Sequence, residues 1–299
     1  MSILDRGFDG EAVMAVVLIT GCSSGIGLET ALAFARRGDI TYASMRNAHK
    51  ADALRSRADA EGLSLHIITL DVTDDASVSN AVPTIELAHG GIDVLVNNAG
   101  VGYGGAIETI PMERARALME TNVWGPVRTA RAVLPAMRSR GSGVIVNVTS
   151  VAGRVPGSPH NAFYGASKHA LGTLSESLFW EVQPFGVRVA CIEPGFFATE
   201  IFANSDWGSV VEGSPYAADD AWMSEFYVKS GEATGGDPSL VAAAILRAVD
   251  DPSTPLHTLV GDDAVMFVGL VAEAGTFEGW VPVATAIVES VSGPRPTGH

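Results

Sequence analysis

The feature that most constrains this chain is an apolar run, Val16-Val17-Leu18-Ile19, that meets Thr20-Gly21-Cys22-Ser23-Ser24-Gly25-Ile26-Gly27. Beyond it, Glu29, Leu32, Ala33 and Phe34 keep helical spacing. A short β-branched run, a glycine turn and an amphipathic stretch, in that order, predict a buried strand feeding directly into a helix. Each glycine has its own task. Gly21 permits the tight turn, Gly25 lets backbone approach a diphosphate, and Gly27 lets the helix pack closely. The unpaired amides at the helix start, around Ser23, Ser24 and Ile26, face the anion. This is a dinucleotide site by context, since a glycine-rich turn without its strand and helix would be a weak signal.

The same rhythm recurs along the chain. Strand-like runs at 16–19, 40–45, 65–70, 94–96, 144–148 and 187–192 alternate with amphipathic stretches, and a weaker run at 256–260 follows a helical stretch at 238–249. Such alternation predicts an α/β fold: a doubly wound parallel sheet of about seven strands with helices on both faces, in a single domain. No repeat interrupts it. The domain is expected over 13–290, after a loose extension at 1–12 and before a flexible tail at 291–299. From 201 to 236 the order becomes irregular, with Trp207, Trp222, Phe226 and Tyr227 among Gly, Ser, Asp and Pro, which reads as a mobile cover over a site.

Composition narrows the partners. A formal net charge of -15 with no Lys/Arg cluster disfavours nucleic acid and anionic lipid surfaces, and leaves a small molecule as the better partner. Two cysteines, Cys22 and Cys191, make neither a disulfide framework nor a metal cluster, so a reducing cytoplasm is the expected setting. No apolar run approaches the roughly 20 residues needed to span a bilayer.

The chemistry concentrates after the fifth strand. In Tyr164-Gly165-Ala166-Ser167-Lys168 a helix brings Tyr164 and Lys168 to one face, a single turn apart. A phenol is a poor proton shuttle at neutral pH, and a neighbouring ammonium would lower its pKa. Ser150 ends the fifth strand and could hydrogen-bond a substrate oxygen, with Thr149 the rival hydroxyl. Asn122 lies in the helical stretch 113–137, where Pro126 cannot donate to its carbonyl. That carbonyl could hold a water linking Lys168 to solvent; a simple proline kink is the plainer reading.

Other strand ends supply the rest of a cofactor crevice. Met45-Arg46 stands where an acidic residue would select NAD, and Arg46 with Ser24 could bind a 2′-phosphate, so NADP(H) is expected. Asp71-Val72 could meet the adenine, although Asp71 could instead cap the next helix. Asn97-Asn98-Ala99-Gly100 could floor the crevice, and an ordinary asparagine turn is the alternative. Pro194-Gly195-Phe196-Phe197-Ala198-Thr199 would project Thr199, toward the nicotinamide carboxamide, and two aromatics over it.

Together these motifs resemble the short-chain dehydrogenase/reductase family over about 13–260. The resemblance implies a Rossmann-type fold and assigns Tyr164 as general acid/base, Ser150 as the group orienting the carbonyl, Lys168 as the ribose ligand, and Asn122 as the holder of a relay water. It also implies the cofactor contacts of Gly21, Ser23, Ser24, Gly25, Ile26, Gly27, Asn98, Ala99, Gly100, Pro194, Gly195 and Thr199. Within the family the chain is similar to NADP-using 17β-hydroxysteroid and retinol dehydrogenase relatives. The loop from Ser150 to Tyr164 departs from the pattern by about one residue. The implied reaction is hydride transfer between NADPH and an apolar ketone or secondary alcohol in a homodimer or homotetramer, without a metal. An NAD-preferring enzyme of the same fold and a silent dinucleotide sensor are the alternatives.

Overall fold

The computed structural model describes residues 14–199 and 213–296. The expected extension at 1–12, residues 201–212 of the expected cover and residues 297–299 of the expected tail lie outside the described residues.

One parallel sheet forms the frame. Its strands are β1 (Val16–Ile19), β2 (Ile40–Met45), β3 (His66–Thr69), β4 (Val94–Asn97), β5 (Gly143–Val148), β6 (Val187–Pro194) and β7 (His257–Val260). They stand in the order β3-β2-β1-β4-β5-β6-β7. β1, β4 and β5 are buried along their whole length, which is why they read as predominantly apolar runs rather than alternating ones.

The ten helices of the described residues are α1 (Gly25–Arg37), α2 (Asp52–Glu61), α3 (Asp75–His89), α4 (Met112–Met119), α5 (Gly125–Arg140), α6 (Ala162–Val182), α7 (Ala217–Thr234), α8 (Pro238–Asp250), α9 (Asp262–Ala274) and α10 (Phe277–Ser292). Side-chain alternation along β1 divides the core between the two faces. Val17 and Ile19 pack with Leu32 and Phe34 of α1 and Ile245 of α8. Val16 and Leu18 pack with Val82 and Ile85 of α3 and Val133 of α5.

Three expectations change. The stretch 113–137 is not one α-helix: α4 passes through a π-turn at Glu120–Trp124 before α5 begins, with the Gly125 amide donating to the Glu120 carbonyl. Pro126 has no amide for the Asn122 carbonyl, and the turn widens there. The expected cover is not irregular throughout, because α7 occupies 217–234 and buries Trp222, Met223, Phe226 and Tyr227. Its apolar positions were obscured by a weakly amphipathic sequence, and packing against α10 organises it. The expected free tail is tied down as far as it is described. Trp222 Nε1 donates to the Gly293 carbonyl at 2.9 Å, and Arg295 pairs with Asp219 at 2.7 Å.

Sheet order positions the site. The chain runs from β1 outward to β3, then returns across β1 to β4, so the strand order reverses between β1 and β4 and opens a crevice at their carboxyl ends.

Candidate active site

A crevice of about 490 Å³ lies at that reversal, lined by the glycine turn at one end and by Ser150, Tyr164, Lys168 and Tyr227 at the other. The turn is built for close backbone approach. Gly21 has φ 75°, and a Cβ on it would lie 2.8 Å from Ala99 Cα. A Cβ on Gly27 would sit 2.2 Å from the Gly21 carbonyl oxygen and 2.4 Å from Asn98 Nδ2. Ser23, Ser24, Gly25 and Ile26 line the same end, and Thr199 of the segment after β6 packs over Gly25.

Asn98 braces this turn. Its side chain donates to the Thr20 and Gly21 carbonyls at 2.9 and 3.0 Å, while Thr20 Oγ1 accepts the amides of Asn98 and Ala99 at 3.0 Å each. Asn98 therefore holds the ends of β1 and β4 together, and Ala99 and Gly100 line the floor. Below lies a buried polar chain that sequence reasoning missed. Thr129 donates to Asn97 at 2.6 Å, Asn97 to Asn147 at 2.9 Å, and Asn147 to Ser175 at 2.8 Å. Its signal was polar residues within otherwise apolar strands, which must be paired when buried.

Arg46 lines the crevice, and so does Lys50, a second cation that the sequence reading did not single out. Asp71 and Val72 also line it. Asp71 accepts from Thr73 N at 2.9 Å and Thr73 Oγ1 at 2.7 Å, and Asp74 caps α3 instead. Pro194 and Gly195 line the wall. Phe197 also lines the crevice, but its side chain is 3% exposed and turns its ring into the core against Gly236. Phe196 does border the substrate end, edge-on to Phe226 at 5.9 Å and packed with Tyr164.

Ser150, Tyr164 and Lys168 converge. The Ser150 side chain is hydrogen-bonded to the Tyr164 phenol, despite the extra residue in the loop between them. That loop turns at His160, whose φ is 58°. The rival Thr149 donates instead to the Ile192 carbonyl at 3.2 Å. Lys168 is 5% exposed and its Nζ donates to the Val148 carbonyl at 3.0 Å. Burial lowers the Lys168 ammonium to about 8, because the charged form loses water. The lowering expected from the lysine does not prevail. Burial raises Tyr164, and the opposing effect comes from the Ser150 hydrogen bond.

Asn122 stands one layer behind. Its side chain exchanges hydrogen bonds with both backbone groups of Val101 at 2.9 Å and donates to Ser167 at 3.1 Å. Its side-chain polar atoms are thus committed to holding Val101 and α6, while its backbone carbonyl receives no amide from Pro126.

The lining residues suit an elongated dinucleotide. A cradle that side chains at 21 and 27 would fill admits backbone-to-diphosphate contact, and the cations Arg46 and Lys50 border the same crevice. Among the described residues, no helix is long and apolar enough to cross a membrane.

Comparison with known proteins agrees with this geometry. The family model described as short chain dehydrogenase matches residues 15–208. A 3-ketodihydrosphingosine reductase of Bacteroides thetaiotaomicron is 36% identical over 247 residues, covering 82% of this chain and 87% of that protein. Human retinol dehydrogenase 8 is 40% identical over 193 residues, 63% of this chain and 61% of its own length. The crystal structure of a short-chain dehydrogenase from Streptomyces avermitilis superposes with a TM-score of 0.78 at 36% identity, covering 92% of this chain and 99% of that one. A metagenomic short-chain oxidoreductase solved with NADP gives a TM-score of 0.65 at 28% identity, covering 82% and 96% of the two chains.

Proposed function

The chain belongs to the short-chain dehydrogenase family, and on that premise we propose that it transfers a hydride between NADP(H) and an apolar ketone or secondary alcohol, with Tyr164 as general acid/base. The observation that carries this reading is the convergence of Ser150, Tyr164 and Lys168 in the crevice whose far end is the glycine turn.

When bound, the reduced nicotinamide supplies the hydride for the carbonyl carbon. Tyr164 delivers its phenolic proton to the carbonyl oxygen: the phenol O–H breaks as the alcohol O–H forms. Ser150 hydrogen-bonds the same oxygen and steadies the charge developing on it. Lys168 would hold the ribose of the cofactor and pass a proton to the phenolate from the solvent side, along a path ordered by the Asn122 backbone carbonyl that Pro126 leaves without an amide. A phenol is protonated at neutral pH and burial keeps Tyr164 so, which is the form that reduction requires.

Arg46 supports NADP over NAD, because a guanidinium at the end of β2 can pair with a 2′-phosphate. Ser23, Ser24, Gly25, Ile26 and the floor residues Asn98, Ala99 and Gly100 would hold the diphosphate, while Asp71 and Val72 would meet the adenine and Pro194, Gly195 and Thr199 the nicotinamide. Phe196, Phe226 and Phe267, with Tyr103 behind Tyr164, support an apolar substrate of some bulk. Exposed Trp124, Leu174 and Trp180 on the α4 to α6 face support a homo-oligomer, and the unbridged Cys22 and Cys191 support a reducing cytoplasm.

The test is turnover of a panel of apolar ketones, followed by loss of reduced-cofactor absorbance with NADPH and with NADH. Wild type should prefer NADPH, and Tyr164→Phe should lose about a thousandfold in kcat with its fold intact. Full turnover by the phenylalanine variant would remove the proposal.

A further inference from the structure

Asn161 occupies the position just before α6, where an asparagine ordinarily caps the helix by accepting a backbone amide. It makes no such bond. Asn161 is 8% exposed, lines the same crevice as Tyr164, and its Oδ1 has no hydrogen-bond partner among the described residues. A buried acceptor left in that condition carries a desolvation penalty unless something donates to it.

The amide is aimed by α7. The Tyr227 hydroxyl is hydrogen-bonded to the side chains of Ser158 and Asn161. With Oδ1 unpartnered, the Asn161 nitrogen is the atom that faces Tyr227, so the oxygen is turned away from it. Tyr227 lines the crevice and is close enough to Tyr164 for charge on one phenol to disfavour charge on the other. Its helix is itself held over the catalytic loop, because Asp220, seven residues earlier and so on the same face, pairs with His160. Asn161, the residue before α6, and Tyr164 in its first turn line the same crevice.

We propose that Asn161, oriented by Tyr227, is a specificity-determining acceptor for a hydrogen-bond donor on the carbon next to the reacting carbonyl, so that the preferred substrates are α-hydroxy or α-amino ketones with an apolar remainder. The inference deepens the carbonyl-reductase reading and rests on it. A site with a buried acceptor discriminates strongly against an analogue that cannot donate, whereas apolar walls alone discriminate weakly between them.

The experiment compares 1-hydroxy-2-decanone, 1-methoxy-2-decanone and 2-decanone as substrates of the full chain with NADPH and NADH. The ether carries the same electron-withdrawing oxygen as the alcohol and lacks its donor, so it separates recognition from intrinsic carbonyl reactivity. Wild type should use the hydroxyketone with a kcat/KM at least about tenfold above the ether. Asn161→Leu should bring that ratio to near one, and Tyr227→Phe, which keeps the ring and releases the amide, should lower it several-fold. Turnover of all three ketones at similar kcat/KM, or a ratio that survives both substitutions, would overturn the proposal and leave the reductase reading standing. No oxidation of either cofactor with any of the three would remove the reading and the proposal together.

Discussion

Lys168 Nζ lies 5.7 Å from the centroid of the Tyr164 ring while donating to the Val148 carbonyl at 3.0 Å. One helical turn places the two side chains side by side, and the end of β5 fixes where the ammonium points. The lysine is thereby held beside the phenol in a desolvated position, which makes its own protonation the sensitive variable of the site.

With burial lowering Lys168 to about 8, raising the pH removes its charge well before that of an ordinary lysine. The kcat/KM for NADPH reports the enzyme before the cofactor binds, so it should fall on an alkaline limb with a midpoint about 8. Lys168→Arg, whose guanidinium stays charged, should move that limb to higher pH whatever it does to the maximum. A wild-type profile flat to strongly alkaline pH would show that the lysine charge is not required.

The same burial predicts a conflict between stability and activity. A lysine whose folded pKa is depressed binds fewer protons folded than unfolded above about 8, so its destabilising effect is complete below that pH and is relieved as pH rises from about 8 to the ordinary value of 10.5. Lys168→Met should therefore abolish turnover yet raise unfolding free energy at pH 7 by on the order of 2 kcal/mol, after the lost Val148 hydrogen bond is allowed for. Urea unfolding at pH 7 and pH 10 would measure it, and the gain should shrink at the higher pH.

Two glycines separate close packing from backbone strain. Gly27→Ala would drive a methyl into the Gly21 carbonyl oxygen at 2.2 Å, a backbone atom that cannot step aside cheaply. It should cost roughly 2–4 kcal/mol of stability and eliminate NADPH binding by calorimetry. Gly62→Ala has φ 66° and nothing within 4 Å, so it should cost about 1 kcal/mol and leave binding intact.

Exchanging the cation at the end of β2 should exchange the cofactor. Arg46→Asp would repel a 2′-phosphate and accept hydrogen bonds from ribose hydroxyls, lowering kcat/KM for NADPH by about a hundredfold while that for NADH rises. If wild type already prefers NADH, Arg46 is a solvated surface residue and the NADP assignment falls.

How much of this could be read in advance depends on how far apart the interacting residues lie in the chain. The strands were recoverable to within about two residues, because a strand buried on both faces is dominated by apolar residues. Tyr164 and Lys168 were recoverable because a helix fixes positions four apart, whatever surrounds them. The π-turn at Glu120–Trp124 was half visible, since Pro126 announces a missing amide but does not say whether the helix kinks or widens. Helix α7 was hidden because its order comes from packing against α10 rather than from its own pattern.

The linear order of residues by itself determined the strand-turn-helix units, the glycine cradle and the pairing of phenol with ammonium, all of which follow from backbone geometry within a few neighbouring residues. The tertiary structure alone decided which hydroxyl meets Tyr164, where Phe197 goes, that Tyr227 turns the Asn161 amide, and in which direction Tyr164 and Lys168 are shifted. Those outcomes depend on burial, and burial is a sum over atoms brought from distant parts of the chain, so no local pattern contains it.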